Sequence, residues 1–156
     1  MKSADVIIIG GGIIGLTLAI ELRKKGASVL VVERGEPGRE ASRAAGGMLV
    51  DCGIETPVAL QLLATASARM YPEFAHELQI ESGMSVDLRD DGTILFLASL
   101  DAGPEVGSKL SPEQLAQLES SLVAGDGTAF YLQERSVDPR ALTASSQFLE
   151  PTGSNW

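Results

Sequence analysis

Asp5-Val6-Ile7-Ile8-Ile9-Gly10-Gly11-Gly12-Ile13-Ile14-Gly15 is the stretch on which the fold turns. Its first half is a β-branched apolar run, the signature of a parallel-sheet strand buried on both faces. The glycines end it. Ile13 to Lys25 then has helical length and good helix formers, apolar nearly all round as far as Ile20 and polar beyond. Arg23, Lys24 and Lys25 fall in the last turn, where cations complement the helix dipole, and Gly26 supplies a C-terminal stop. Ser28 to Val32 is a second apolar strand, ended by Glu33. Strand, helix and strand fit into about 30 residues, the length of one right-handed βαβ crossover.

Three of the glycines have separate tasks. Gly10, Gly12 and Gly15 occupy the fixed positions of G-x-G-x-x-G. The first permits the tight turn out of the strand, the second lets a pyrophosphate approach the backbone, and the third allows the helix to pack on the strand. The helix N-terminus offers N–H groups and a positive dipole end to the phosphates. Glu33, 23 positions after Gly10, ends the second strand, where a carboxylate accepts hydrogen bonds from ribose hydroxyls. The pattern predicts a dinucleotide on this corner. It does not choose between NAD and FAD. A 2′-phosphate is repelled by Glu33, which disfavours NADP, and the neighbouring Arg34 softens that objection only a little.

Composition bounds the rest. The chain has 156 residues, 44% hydrophobic and 21% charged, with 12 basic against 21 acidic residues and a formal charge of −9. That balance argues against a nucleic-acid or anionic-membrane surface. Aromatics are 4%, so the core is aliphatic. One Cys and one His exclude a disulfide framework, a Cys-rich metal site and a paired-His zinc site within one chain, so no metal is expected. The disulfide-free composition is compatible with the cytoplasm. Lys2 before an apolar run imitates a signal peptide, but glycines interrupt the run, no cleavage site follows, and the helix ends in charge. The run is also shorter than the roughly 20 residues of a membrane span.

Downstream, Arg34 to Gly47 reads as an ordered loop with a short helix near Arg43. Thr56 to Ser82 carries Leu60, Leu63, Ala66, Met70, Phe74 and Leu78 at spacings of three and four, predicting a helix that Pro72 kinks or divides. Asp90-Asp91-Gly92 is a turn before a strand over Thr93–Leu97. Ser111-Pro112-Glu113-Gln114 reads as a capping box opening a helix to about Ser120, and Ala129–Leu132 as a strand. Asp138-Pro139 caps a helix from Arg140 to about Phe148. His76, Cys52 and the Asp90–Asp91 pair are better explained as a solvated or capping residue, an idle thiol and turn chemistry than as catalysts. Ser42 lacks the context of a nucleophile.

The opening Asp5–Gly15 resembles that of the FAD-dependent D-amino-acid oxidase family. Arg39-Glu40-Ala41-Ser42-Arg43-Ala44-Ala45-Gly46-Gly47-Met48-Leu49 is similar to the A-S-x-x-A-A-G-M-L signature of its glycine oxidase branch, which is associated with thiamine biosynthesis. Tyr71-Pro72-Glu73-Phe74 with Glu81-Ser82-Gly83, and Ser136-Val137-Asp138-Pro139-Arg140-Ala141-Leu142, extend the resemblance to about Ser145. It implies an α/β, Rossmann-like FAD/NAD(P)-binding fold, incomplete here: an N-terminal βαβ unit plus part of a second, antiparallel-sheet region. Residues 1–150 are then the N-terminal portion of a DAO-type domain and 151–156 a tail.

The resemblance further implies FAD as cofactor. Gly10, Gly12, Ile13, Ile14 and Gly15 match the turn under its pyrophosphate, and Glu33 and Arg34 the positions beside the adenosine ribose. Ala41 and Ser42 match a loop touching the phosphates, and Gly46, Gly47 and Met48 backbone positions near the flavin ring. The implied activity is oxidative deamination of glycine or a small amino acid to the imino or oxo acid, with release of hydrogen peroxide. The family's substrate-carboxylate Arg and active-site Tyr lie in a C-terminal half that has no counterpart here. A truncated product with weak or no turnover by itself is therefore expected, and no catalytic residue is assigned. Arg140 belongs to the helix-start motif and not to the substrate. Two alternatives stand beside this reading: an NAD-dependent dehydrogenase fragment, and a non-catalytic nucleotide-binding half-domain with exposed sheet edges.

Overall fold

In the computed structural model the described residues are 3–50, 56–98, 107–122, 125 and 127–148. Cys52 and the 151–156 tail lie outside them. The chain forms two compact units: Met1–Gly47, Met70–Leu88 and Val137–Trp156 make the first, Met48–Arg69 and Arg89–Ser136 the second.

The first unit opens with the βαβ crossover. β1 (Val6–Ile9) and β2 (Val29–Val32) pair in parallel, Val6 opposite Val29 and Ile9 opposite Val32. Between them runs α1 (Ile13–Lys24), and Gly26 takes φ +88° just past its end. Asp5 fastens the start of the sheet: its N–H donates to the Ser28 carbonyl at 2.8 Å, and its Oδ2 accepts the Ser28 N–H at 2.8 Å. The expectation that β1 is buried on both faces is corrected. Ile8 is buried, but Ile7, Ile9, Leu30 and Val32 are 62%, 88%, 48% and 47% exposed. In a strand, alternate side chains point to opposite faces, so these four form one outward apolar face. The all-round apolar character of α1 is likewise only partly used: Leu16, Ala19 and Ile20 are buried, whereas Ile14 and Leu18 are exposed. A continuous apolar run reports suitability for two-sided burial; this pair of strands buries one side.

α2 (Ala41–Ala44) is the short helix expected near Arg43. α3 (Val58–Ser82) is one uninterrupted helix of 25 residues with Pro72 inside it, so Pro72 does not divide it. Proline removes one backbone donor, and the turns on either side keep theirs. The apolar stripe of α3 is buried only towards its end: Ala75 and Leu78 are in the first unit's core, while Leu60, Leu63 and Met70 are 50%, 67% and 68% exposed. α5 (Pro139–Phe148) completes this unit. Asp138 accepts the Arg140 N–H at 2.8 Å, the cap expected from its sequence. Thr143, Ser145 and Ser146 are buried, and each returns its hydroxyl to the carbonyl four residues earlier, at 2.6, 2.9 and 2.8 Å. Small polar side chains satisfied in this way let a helix pack closely without an orphaned donor.

The second unit is built from antiparallel strands. β5 (Thr93–Leu97) pairs with β7 (Thr128–Leu132), and β6 (Ser108–Lys109) lies on the other side of β7. β3 (Met48–Leu49) pairs with β8 (Arg135–Val137) through Met48–Ser136 and Leu49–Arg135. β8 also borders β4 (Leu88–Arg89). α4 (Pro112–Leu118) starts at a complete capping box: the Ser111 hydroxyl accepts the Gln114 N–H and the Gln114 side chain accepts the Ser111 N–H. Leu115, Ala129 and Phe130 are buried. The sequence reading missed β3, β4, β6 and β8, which are two or three residues long and too short to show a period. Among the described residues no helix is long and apolar enough to cross a membrane.

Candidate cofactor site

The glycine turn lies entirely in the first unit, between the end of β1 and the start of α1. Gly10 takes φ +109° and donates its N–H to the Val32 carbonyl at 2.8 Å, tying the turn to β2. A Cβ at Gly10 would meet nothing within 4 Å, so the turn faces open space. A Cβ at Gly15 would collide with the Gly10 carbonyl oxygen and stand 3.3 Å from the Ile8 side chain. Glycine there brings helix and strand together, as its place in the motif predicts.

Gly12 is the N-cap of α1, with no side chain to cap with. Ser42 replaces it: its Oγ accepts the Ile13 N–H at 2.9 Å, across 29 residues of sequence. A Cβ on Gly12 would sit 3.0 Å from that oxygen, so Gly12 is what lets α2 come this close. Ile14 and Gly15 follow in the first turn, where backbone N–H groups have no carbonyl four residues back. The result is a helix N-terminus with one amide held by a hydroxyl and others available to an anion.

Glu33 closes the other side. One carboxylate oxygen accepts the Gly11 N–H at 2.7 Å and the other accepts the Gly35 N–H at 3.0 Å. The Gly11 bond, then the Gly35 bond, hold this carboxyl below the usual carboxylate range. An ionised carboxylate has about four acceptor positions, so two backbone bonds leave capacity for sugar hydroxyls. Arg34 turns outward to Glu40 at 3.2 Å, with both side chains largely exposed.

The remaining site residues assigned from sequence separate by environment. Ala41 is exposed at the start of α2, and Gly46 is exposed with open space around it. Gly47 has φ +75°, and a Cβ there would strike the Val137 carbonyl and crowd the Pro139 ring at 3.1 Å. Its carbonyl accepts the Val137 N–H at 2.9 Å, so this glycine is held by the chain segment entering α5. Met48 is 52% exposed and belongs to the second unit.

Sequence reasoning passed over Gly11, Pro37, Gly38 and Gln147. Gly11 is buried; a Cβ on it would meet Glu33 and Pro37 at 3.2 Å, and its carbonyl accepts the Gly38 N–H at 2.8 Å. The signals were a third consecutive glycine and the Pro37-Gly38 turn pair. Nothing in the local sequence marks Gln147.

The group that the resemblance implies can be tested against this geometry. FAD carries a diphosphate and a ribose, which need backbone donors on an open, Cβ-free turn and a nearby carboxylate. Both are present: the turn is open at Gly10, and Glu33 is fixed beside it. The residues fit the group.

Comparison with known proteins gives the family. The model of the family described as FAD dependent oxidoreductase matches residues 5–146. The chain belongs to that family. It is 40% identical over 107 residues to glycine oxidase of Bacillus licheniformis, covering 67% of this chain and 28% of that protein. It is 38% identical over 81 residues to the bifunctional protein ThiO/ThiG of Trichormus variabilis, covering 52% of this chain and 12% of that protein. The crystal structure of glycine oxidase from Geobacillus kaustophilus superposes with a TM-score of 0.83 at 28% identity, over 93% of this chain and 43% of that one. The α/β fold with a partial Rossmann-like FAD-binding region is thereby shown. The chain spans less than a third of the curated relatives it matches and under half of the solved one.

Proposed function

We propose that this chain holds FAD by its glycine turn and contributes to the oxidative deamination of glycine or a small amino acid. The observation that carries this reading is the joint geometry of two acceptors: Ser42 on the first amide of α1 and Glu33 on the Gly11 amide. They fix an open glycine turn whose shape and charge suit a diphosphate on one side and a ribose on the other. In this reading Gly10, Gly12, Ile13, Ile14 and Gly15 lie under the pyrophosphate, with Ala41 and Ser42 beside it. Glu33 accepts from the ribose and Arg34 flanks it. Gly46, Gly47 and Met48 approach the flavin ring by their backbones.

When bound, FAD supplies the electron acceptor for amine oxidation, with oxygen as the final oxidant giving hydrogen peroxide. This chain's residues do the rest of what the reading asks of them. They bind the diphosphate with amides, neutralise part of its charge with a helix dipole, and hold the sugar with a carboxylate. The substrate in this reading is glycine, which the glycine oxidase relatives name, or an amino acid of similar size. A role linked to thiamine biosynthesis belongs to the same reading, as the resemblance to the glycine oxidase branch implies. The region 1–150 acts as the N-terminal portion of a DAO-type domain, in the cytoplasm, and gives little turnover when isolated.

Purified chain titrated with FAD is expected to quench flavin fluorescence and to gain thermal stability, whereas NAD gives neither. Peroxide release from glycine or sarcosine is expected to be far below that of a full-length homologue. Protection by NAD and not by FAD would overturn the flavin reading; turnover equal to the homologue's would overturn the expectation of weak activity. A non-catalytic nucleotide-binding role is favoured by one observation, the outward face of Ile7, Ile9, Leu30 and Val32. Apolar faces of that kind promote association. FAD binding with no peroxide release, in a chain that elutes as oligomers, is the outcome that selects it.

A further inference from the structure

We propose that Gln147, on the last turns of α5, is a positioning residue for the nucleotide end of FAD, an assignment that rests on the flavin reading above. Gln147 lies one residue beyond the stretch that the family model matches. The helix nonetheless continues through it, and its side chain is half-buried. Its amide nitrogen donates to the Pro37 carbonyl at 2.5 Å, a contact spanning 110 residues of sequence.

That bond is the outer end of a connected series that stops at the ribose carboxylate. Pro37 precedes Gly38, which is buried with φ +72°. A Cβ on Gly38 would stand 2.7 Å from the Gln147 nitrogen and 3.1 Å from the Thr143 Cβ, so the loop presses directly on α5. The Gly38 N–H donates to the Gly11 carbonyl at 2.8 Å. The Gly11 N–H in turn donates to Glu33 at 2.7 Å, and the Gly35 N–H takes the other carboxylate oxygen. The loop from Gly35 to Gly38 therefore has three attachments: to Glu33, to the glycine turn and to α5. Of these, the Gln147 bond is the one made by a side chain from a remote helix. Without it the loop keeps its bonds to Glu33 and Gly11 but loses its tie to α5, and loops with fewer attachments open more readily. Loosening the loop loosens the Gly11 peptide, which carries both the turn and one of the two bonds that aim Glu33. Gln147 touches no ligand atom in this scheme; it acts through Pro37, Gly38 and Gly11.

The test uses Gln147→Met, which keeps length and removes the donor, and Gln147→Lys, which returns an N–H donor on a flexible stem one carbon longer. Two readouts are taken on the full chain: FAD affinity by flavin fluorescence, and hydrogen exchange along the backbone. Loss of one such bond is expected to weaken FAD about three- to tenfold in Gln147→Met, with faster exchange confined to residues 11 and 34–40. Exchange in β5, β7 and the end of α3 stays unchanged. Gln147→Lys is expected to recover most of the affinity and the protection. Equal FAD affinity in wild type and Gln147→Met overturns the assignment while leaving the flavin reading intact. So does a Gln147→Lys protein as weak as Gln147→Met, or exchange that rises evenly through α5. Failure of the wild-type chain to bind FAD overturns both together.

Discussion

The glycine corner of the first unit and the β5–β7–β6 sheet of the second close their turns by opposite means. At the corner, backbone groups are served by side chains, most of them remote in sequence. Ser42 serves Ile13, Glu33 serves Gly11 and Gly35, and Gln147 serves Pro37. The space in front of Gly10 is left open. In the second unit the turn before β5 is filled by its own sheet. The Tyr131 ring lies against Gly92, the Tyr131 hydroxyl donates to the Asp91 carbonyl at 3.2 Å, and Arg135 pairs with Asp90 at 3.3 Å. One region fixes its backbone and keeps its front vacant, as a binding site must. The other packs side chains into the equivalent place.

The same substitution in both places gives the sharpest contrast. Gly15→Ala sets a methyl against the Gly10 carbonyl, a backbone atom that cannot rotate away. It is expected to cost about 3 kcal/mol, the upper range for overpacking, and to abolish FAD binding. Gly92→Ala meets the Tyr131 ring, a side chain that can swing, and pays for φ +80°. Its expected cost is about 1–2 kcal/mol, with FAD affinity unchanged within about twofold, well under the tenfold that 1.4 kcal/mol of binding energy represents. Denaturant melts and flavin titration on both variants check this. Equal effects on FAD would dissolve the distinction between the two regions.

A smaller contrast comes from the two serine caps. Ser111→Ala breaks the capping box of α4, and Ser42→Ala frees the first amide of α1. Each loses about 1 kcal/mol of stability, the usual worth of an N-cap. Only Ser42→Ala is expected to change FAD affinity, because its hydroxyl lies on the helix end assigned to the phosphates. A Ser42→Ala protein with wild-type affinity would reduce Ser42 to a structural cap.

How much of this was legible follows from where each signal is stored. The placement of Gly10, Gly12, Gly15 and Glu33 around one turn was legible because the crossover is local in sequence and its spacing is fixed by one turn, one helix and one strand. The Ser111 capping box and the Asp138 cap were found for the same reason. Gly11, Gly38 and Gln147 were not, because their roles exist only when positions 22 to 110 residues apart meet. The exposure of Ile7, Ile9, Leu30 and Val32 was also illegible: an apolar strand states what would suit its faces, and the packing decides which face is covered. Leu60, Leu63 and Met70 teach the same about a helical stripe. Its period located α3 but not the side on which α3 is buried.

The smallest expected effect is a pH dependence that belongs to the corner alone. The N–H groups of Gly11 and Gly35 stabilise the ionised form of Glu33 and lower its pKa in the folded chain. For a group with a depressed folded-state pKa, the unfolded chain binds the proton more readily, so acid favours unfolding. The contribution is complete above the ordinary carboxylate pKa and is lost as pH falls through the lowered folded value. Because the side chain is solvent-facing, the effect is modest and shrinks with salt. Glu33→Gln removes this titration and leaves one amide oxygen to serve two backbone donors. The variant is therefore expected to melt lower than wild type near neutrality, with the gap narrowing below the ordinary carboxylate range. Parallel thermal melts from neutral to acidic pH measure that gap. A constant gap across the range would show that Glu33 holds the turn by shape and not by charge, and the corner would then differ from the β5–β7–β6 sheet in its openness only.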